Sequence, residues 1–104
     1  MMDLARLRRD LRHRRVRLLL SGHARIEVHK DGLPLSEVER TVLNGVVVED
    51  CPDRDRKLLL GFASGTALPC HAVLEYAAGE SEAYVVTAYV PDGATWYPDY
   101  KTRK

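Results

Sequence analysis

The chain has 104 residues, of which 45% are apolar and 30% charged, a composition typical of one globular domain with a modest core. No stretch approaches the ~18 consecutive apolar residues of a membrane-spanning helix, and the basic N-terminal residues lack the apolar segment of a signal peptide. Composition therefore argues against a membrane or exported protein, and we expect no membrane contact and a cytoplasmic location.

The net charge of +1 hides an uneven distribution of charge along the chain. Residues 1–30 contain nine Lys or Arg against three Asp or Glu, whereas residues 31–60 and 61–104 are each net acidic. Seven arginines lie between positions 6 and 17, and their planar guanidinium groups suit bidentate contact with phosphate or carboxylate. This basic leader is either a solvated helix face or a surface for nucleic acid or an acidic partner, with contacts from Arg6, Arg9, Arg12 and Arg15.

A first helix is predicted for residues 3–14, because Asp3 is a suitable N-cap and leucines recur on one face at positions 4, 7 and 11. The segment VRLLLS follows it and alternates in the manner of a strand.

Residues 22–30 are ambiguous. Ala24, Ile26 and Val28 alternate with polar residues, as in a half-buried strand. In favour of a helix, Ser21 can serve as an N-cap, and Ala24 and Val28 have i, i+4 spacing. The local pattern alone favours the strand.

The segment LSEVERTVLNG has the clearest helical pattern of the chain, with Ser36 as the predicted cap and Asn44-Gly45 as the stop signal. Its buried face is predicted to consist of Val38, Val42 and Leu43. After Gly45 the period changes to two, and four strands are predicted in VVVED, KLLLGFA, ALPCHAVLEYA and EAYVVTAYV, with a hairpin turn at SGT.

Short loops between these strands predict an antiparallel meander and an α+β fold. We expect one domain over 1–104, made of a basic leader helix (1–14), a strand and helices (15–45), antiparallel strands (46–90) and an aromatic and basic tail (91–104). Cys51 and Cys70 are expected to be reduced thiols, and neither a metal site nor a cofactor is predicted.

Several motifs together resemble the domain-of-unknown-function family 4258: the His-Ala pair at His23, the EDCP turn, the central HAV at His71 and the closing TAYVPD run with its Trp and Asp. The resemblance covers nearly the whole chain. The chain departs from it in two places, since Cys51 stands where an aromatic residue is common and IEVHKDG lacks the expected Met and Arg.

That family looks like a member of the RelE/ParE toxin superfamily. The resemblance implies N-terminal helices packed on a curled, four- to five-stranded antiparallel sheet. It also implies that residues 22–30 form a helix, with His23 in the first turn near the positive end of the helix dipole.

RelE-like ribonucleases cleave RNA without a metal, through groups that move protons and stabilise the phosphate charge. The resemblance implies a catalytic set in which His23 and His71 act as base and acid, Arg25 holds the phosphate and Tyr89 orients a base or shares protons. Each of these residues also has a structural interpretation, as a helix cap, a paired semi-buried histidine or a core tyrosine. Glu49 and Asp50 are expected to partner a leader arginine or cap a turn.

In the tail, aromatic rings alternate with cations, which suits stacking on single-stranded RNA or clamping of the tail over the sheet; the candidates are Trp96, Lys101 and Arg103. The leading hypothesis is a toxin-type endoribonuclease of a toxin–antitoxin pair, with an acidic antitoxin-like partner on the basic leader. The alternative is a catalytically silent protein-interaction or RNA-binding module of the same fold.

Overall fold

The computed structural model describes residues 2–62 and 68–104, so the turn predicted at residues 64–66 lies outside the described part. Helices α1, α2 and α3 span Leu4–Arg12, Gly22–Lys30 and Leu35–Asn44. Strands β1 to β5 span Arg17–Leu20, Val46–Cys51, Arg56–Phe62, Pro69–Glu75 and Glu82–Tyr89, and a short 3-10 turn at Pro52–Arg54 links β2 to β3. The predicted α+β class is confirmed.

The five strands form one open sheet in the order β1-β5-β4-β3-β2. Strands β2 to β5 are antiparallel to their sequential neighbours, as predicted from their short connections. Strand β1 pairs with β5 in parallel, with Arg17 opposite Glu82 and Leu20 opposite Val85. The sheet is therefore mixed, and the expectation of a purely antiparallel sheet is corrected, because a strand separated from the meander by two helices can enter in either direction.

Helix α1 begins as predicted. The side chain of Asp3 accepts a hydrogen bond from the Arg6 amide at 3.0 Å, and Leu7 is buried. The helix ends at Arg12, two residues earlier than predicted, and Arg14 takes a left-handed conformation with φ 59°.

Residues 22–30 form helix α2, so the strand favoured by the local pattern is wrong and the family resemblance is right. The Ser21 hydroxyl oxygen accepts a hydrogen bond from the Ala24 amide at 3.0 Å and caps the helix. Ala24 and Val28 are buried at i, i+4, whereas Ile26 is 69% exposed. The apparent alternation therefore arose from one solvent-facing isoleucine between two buried residues.

Helix α3 begins at Leu35 with Pro34 at the N-cap, and no side chain caps it. Ser36 therefore lies inside the first turn, and its predicted role as the cap is corrected. Because the helix cannot continue through Pro34 towards the N-terminus, its start at Leu35 is fixed without a hydrogen bond from a side chain. Val38 and Val42 are fully buried as predicted, and Leu43 is half-buried.

The three helices cover one face of the sheet. Helix α2 packs on β5 and β1, α3 packs on β3 and β4, and α1 packs on α3. The core between these layers includes Val28, Val38, Val42, Leu59, Cys70, Ala72, Leu74 and Val85. Over the described residues, no helix has the length and apolar character needed to cross a membrane. Among the described residues, the C-terminal segment 91–104 packs over part of the other face of the sheet, where Trp96 and Tyr100 contact His71.

Candidate functional site

Strand alternation sends the side chains of β4 to opposite faces of the sheet. Cys70, Ala72 and Leu74 join the core under the helices. His71 lies between them in sequence and points to the other face, where it is opposite Leu60 of β3 and Tyr89 of β5. His71 thus occupies the middle of the sheet face that carries no helix.

The His71 ring is completely buried, and both of its nitrogens have partners. Nε2 lies 2.8 Å from the carbonyl oxygen of Tyr100, and Nδ1 lies 3.2 Å from the Tyr89 hydroxyl. A carbonyl oxygen only accepts hydrogen bonds, so Nε2 carries the proton and Nδ1 accepts from the hydroxyl. Burial lowers the pKa of His71 more than the Tyr100 bond raises it, which favours this neutral form.

A chain of contacts continues from His71 towards β2. The Trp96 ring lies edge-on to His71 at 4.5 Å between centroids, and the Arg103 guanidinium lies over the Trp96 ring at 4.6 Å. Arg103 also donates to both oxygens of Glu49, at 2.7 and 3.0 Å. These hydrogen bonds lower the pKa of Glu49 below its ordinary value, so the carboxylate is ionised at neutral pH.

A cleft of about 610 Å³ opens on this face beside the C-terminal segment. That volume suits a small-molecule or nucleotide-sized ligand. Burial raises the pKa of the Tyr89 phenol, which therefore keeps its proton at neutral pH. The Glu49 carboxylate, the Arg103 guanidinium and the Tyr89 phenol thus line one cavity. Its other lining residues include Arg56, Lys57 and Thr87.

The model of a family described as a domain of unknown function, DUF4258, matches residues 20–90, more than half of the chain. The chain belongs to the DUF4258 family. No curated protein and no solved structure is similar enough to count as a match. The matched range includes Glu49, His71 and Tyr89, and it ends before Trp96 and Arg103.

Two of the four predicted catalytic residues of this DUF4258 domain are in direct contact, namely His71 and Tyr89. The other two lie on the exposed side of α2. The Nε2 atom of His23 is 3.1 Å from Oε1 of Glu27, one turn further along the helix, and Arg25 donates to the Leu20 carbonyl at 3.4 Å. Within the described residues neither contacts His71 or Tyr89.

The basic leader of the DUF4258 domain divides into arginines with and without partners. Arg12 donates to the Leu43 carbonyl and the Asn44 side chain of α3, and Arg15 pairs with Asp10 at 3.3 Å. The side chains of Arg6 and Arg9 are exposed and have no hydrogen-bond partner among the described residues. Arg14 is likewise exposed with no side-chain partner among the described residues, so these three arginines of the leader are free to meet a ligand.

The predicted binding residues of the tail have different environments. Trp96 is only 2% exposed, with His71 at its edge and Arg103 on its face, so it clamps the tail and has no free face for a nucleobase. Arg103 is exposed at the rim of the cleft. Lys101 is exposed too, but it lines a separate pocket with Val46 and Phe62.

Glu49 lines the candidate cleft, whereas the sequence predicted only a structural role for it. It pairs with Arg103, 54 positions away, whereas a leader arginine was one expected partner. Asp50 pairs with Lys57 of the adjacent strand at 3.0 Å. The alternation of VVVED indicated a strand, but no local signal linked its carboxylate to the tail.

Proposed function

We propose that this DUF4258 domain is a metal-independent, toxin-type endoribonuclease whose active site is the cleft beside the C-terminal segment. One observation carries the proposal: the Glu49 carboxylate, the Arg103 guanidinium and the His71-bound Tyr89 phenol all line that cleft. The resemblance to RelE/ParE toxins, which remains a prediction, supports the same reaction class.

Cleavage of RNA without a metal needs a proton acceptor for the 2′-hydroxyl, a cation for the phosphate and a proton donor for the leaving oxygen. Glu49 is ionised and suits the acceptor, and Tyr89 is protonated and suits the donor. The lowered pKa of Glu49 and the raised pKa of Tyr89 leave the two groups in the protonation states that these roles require at neutral pH. Arg103 suits the phosphate because its fork matches two phosphate oxygens.

His71 is buried, so its role in the proposal differs from that of a residue touching RNA. Its Nδ1 atom holds the Tyr89 hydroxyl at the cleft wall, while its Nε2–H holds the tail through the Tyr100 carbonyl. His71 is therefore a positioning residue. His23 and Arg25 remain predicted catalytic residues, which the assay below tests in the same way.

The test is incubation of the full chain with a mixed single-stranded RNA in EDTA. We expect cleavage by the unchanged chain and a loss of about 100-fold or more in Tyr89→Phe and Glu49→Gln. Tyr84→Phe is the matched control, because Tyr84 lies on the same strand outside this cleft and its hydroxyl bonds Glu82. His23→Ala and Arg25→Ala complete the set, with folding checked by circular dichroism.

A catalytically silent binding module is the second candidate, and a specific observation favours it. Arg12 and His71 both serve structural contacts, whereas Arg6 and Arg9 remain free on the leader. Under this proposal the partner is RNA or an acidic antitoxin-like protein, in the cytoplasm. Two results together would support the binding module over the nuclease. Arg6→Ala and Arg9→Ala would lose binding of the RNA or of the acidic partner, and the RNA would remain intact both in the cleavage assay and in a translation assay.

A further inference from the structure

The contact between Glu49 and Arg103 closes the rim of the cleft. It is bidentate, and both side chains keep solvent access, with 37% of Glu49 and 56% of Arg103 exposed. The Trp96 ring lies under the guanidinium, whose Cζ atom is 4.6 Å from the ring centroid. The carboxylate therefore occupies a preformed, accessible site for a planar or tetrahedral anion.

We propose that Arg103 is a phosphate subsite which Glu49 occupies until substrate arrives, so that one phosphate both binds Arg103 and releases the Glu49 carboxylate into the cleft. This inference rests on the proposed function, which supplies the phosphate as part of an RNA chain. It adds that the site is closed at rest by an internal ion pair, and that substrate opens it.

The chemistry of the Arg103 guanidinium favours replacement of the Glu49 carboxylate by a phosphate. A guanidinium fork binds carboxylate and phosphate with the same two parallel N–H bonds. An exposed ion pair contributes only about 0–1 kcal/mol, so a phosphate from solvent can replace the carboxylate. The Trp96 ring keeps Arg103 in place while the anion changes, because the stacking contact does not involve Glu49.

The exchange also changes what Glu49 can do. While the pair is closed, Arg103 lowers the pKa of Glu49 and weakens it as a base. Once Arg103 holds the phosphate, the free carboxylate accepts the 2′-hydroxyl proton, O2′ bonds to phosphorus, and the bond from phosphorus to O5′ breaks. The Tyr89 hydroxyl turns from His71 Nδ1 to O5′, donates its proton there and regains one from the Glu49 carboxyl through water. The products are a 2′,3′-cyclic phosphate and a 5′-hydroxyl.

A titration with a 2′-O-methyl RNA oligonucleotide tests the subsite, because this probe carries phosphates but has no free 2′-hydroxyl to react. The chain contains a single tryptophan, so the intrinsic fluorescence reports the stack of Arg103 on Trp96. Oligonucleotide anisotropy gives the affinity in parallel.

We expect Glu49→Gln to bind the probe about fivefold more tightly than the unchanged chain, the equivalent of the ~1 kcal/mol of one exposed charged pair. Arg103→Ala should abolish both probe binding and the fluorescence response. Arg103→Lys keeps the charge without the guanidinium fork, so its affinity for the probe should lie between those of the unchanged chain and Arg103→Ala. Glu82→Gln is the matched control: its carboxylate pairs with Arg17 at 3.0 Å and is equally exposed, but it lies outside the cleft. Its affinity should not change.

Equal or weaker binding by Glu49→Gln would overturn the subsite even if the unchanged chain cleaves RNA, and the nuclease would then stand without it. Tighter binding by Glu49→Gln with no cleavage in any assay would support the subsite and reject the nuclease. Probe binding that survives in Arg103→Ala also overturns the subsite. Failure of every variant to bind the probe would overturn the subsite, and the cleavage assay alone would then decide the nuclease.

Discussion

Arg8 of α1 is bound to the carbonyl oxygen of Gly45, which lies 2.6 Å from its Nη2 atom. Its Nε atom donates to the Val42 carbonyl at 2.9 Å, and Arg12 donates to the Leu43 carbonyl. These carbonyls belong to the C-terminal end of α3, where they have no partner within the helix. The basic leader therefore caps a neighbouring helix, in addition to presenting free arginines to solvent.

We expect Arg8→Ala to lower the free energy of unfolding by about 2 kcal/mol, because two carbonyls lose a charged donor. Arg9→Ala should leave it within about 0.5 kcal/mol, since the Arg9 side chain is exposed and unpaired among the described residues. Urea unfolding measures both. Equal effects of the two changes would contradict a capping role for Arg8.

The helix α2 shows where the sequence was informative and where it was misleading. Ser21 and the i, i+4 spacing of Ala24 and Val28 did mark the helix, but nine residues contain too few apolar positions to separate the two periods. The exposed Ile26 completed a false alternation. Tertiary packing on β5 and β1 decides the conformation of such a short segment.

Substitution by a charge distinguishes the two faces of α2. Val28→Asp should lower the free energy of unfolding by about 3 kcal/mol or more, because an unpaired carboxylate would enter the core. Ile26→Asp should change it by less than about 0.5 kcal/mol, because Ile26 faces solvent. A strand at residues 22–30 would make both changes costly, and thermal unfolding followed by circular dichroism measures the difference.

The candidate site was predictable only in part, for a physical reason. Alternation on β4 separates His71 from the apolar residues beside it, and an alternating strand for EAYVVTAYV brings Tyr89 near it. The tail has no periodicity, since residues 91–104 form turns held by local bonds such as those to Asp99. Its placement over His71, and the pairing of Arg103 with Glu49, depend on long-range packing that no local pattern encodes.

Gly45 joins α3 to β2 at a point where a side chain has no room. A Cβ atom there would lie 2.5 Å from the Thr41 carbonyl oxygen and 2.8 Å from that of Leu60. Because both neighbours are backbone atoms, Gly45→Ala should lower the free energy of unfolding by about 1–3 kcal/mol. Gly22→Ala is the control, since a Cβ at Gly22 meets nothing within 4 Å. Equal stabilities of the two variants in urea would contradict this close approach.

The stability of the domain should depend on pH through His71. Burial lowers the pKa of His71 from its ordinary value of 6.5; the Tyr100 bond and the Glu49 charge raise it by less, and Arg103 lowers it further. Below pH 6.5 the unfolded chain therefore binds a proton that the folded chain resists, so the free energy of unfolding falls as the pH falls towards the folded pKa. Above that range His71 adds no slope, and within it the slope is at most about 1.4 kcal/mol per pH unit.

His71→Gln isolates this contribution, because glutamine does not titrate and its amide can still donate to the Tyr100 carbonyl. The other three histidines are common to both proteins, so their effects cancel in the comparison. Urea unfolding between about pH 7.5 and about pH 5.5 should show a steeper loss of stability in the unchanged chain than in the variant. Parallel curves would mean that His71 takes up a proton as readily in the folded chain as in the unfolded one. The neutral tautomer that bonds Tyr89 and Tyr100 would then be ruled out as the state that holds the tail on the sheet.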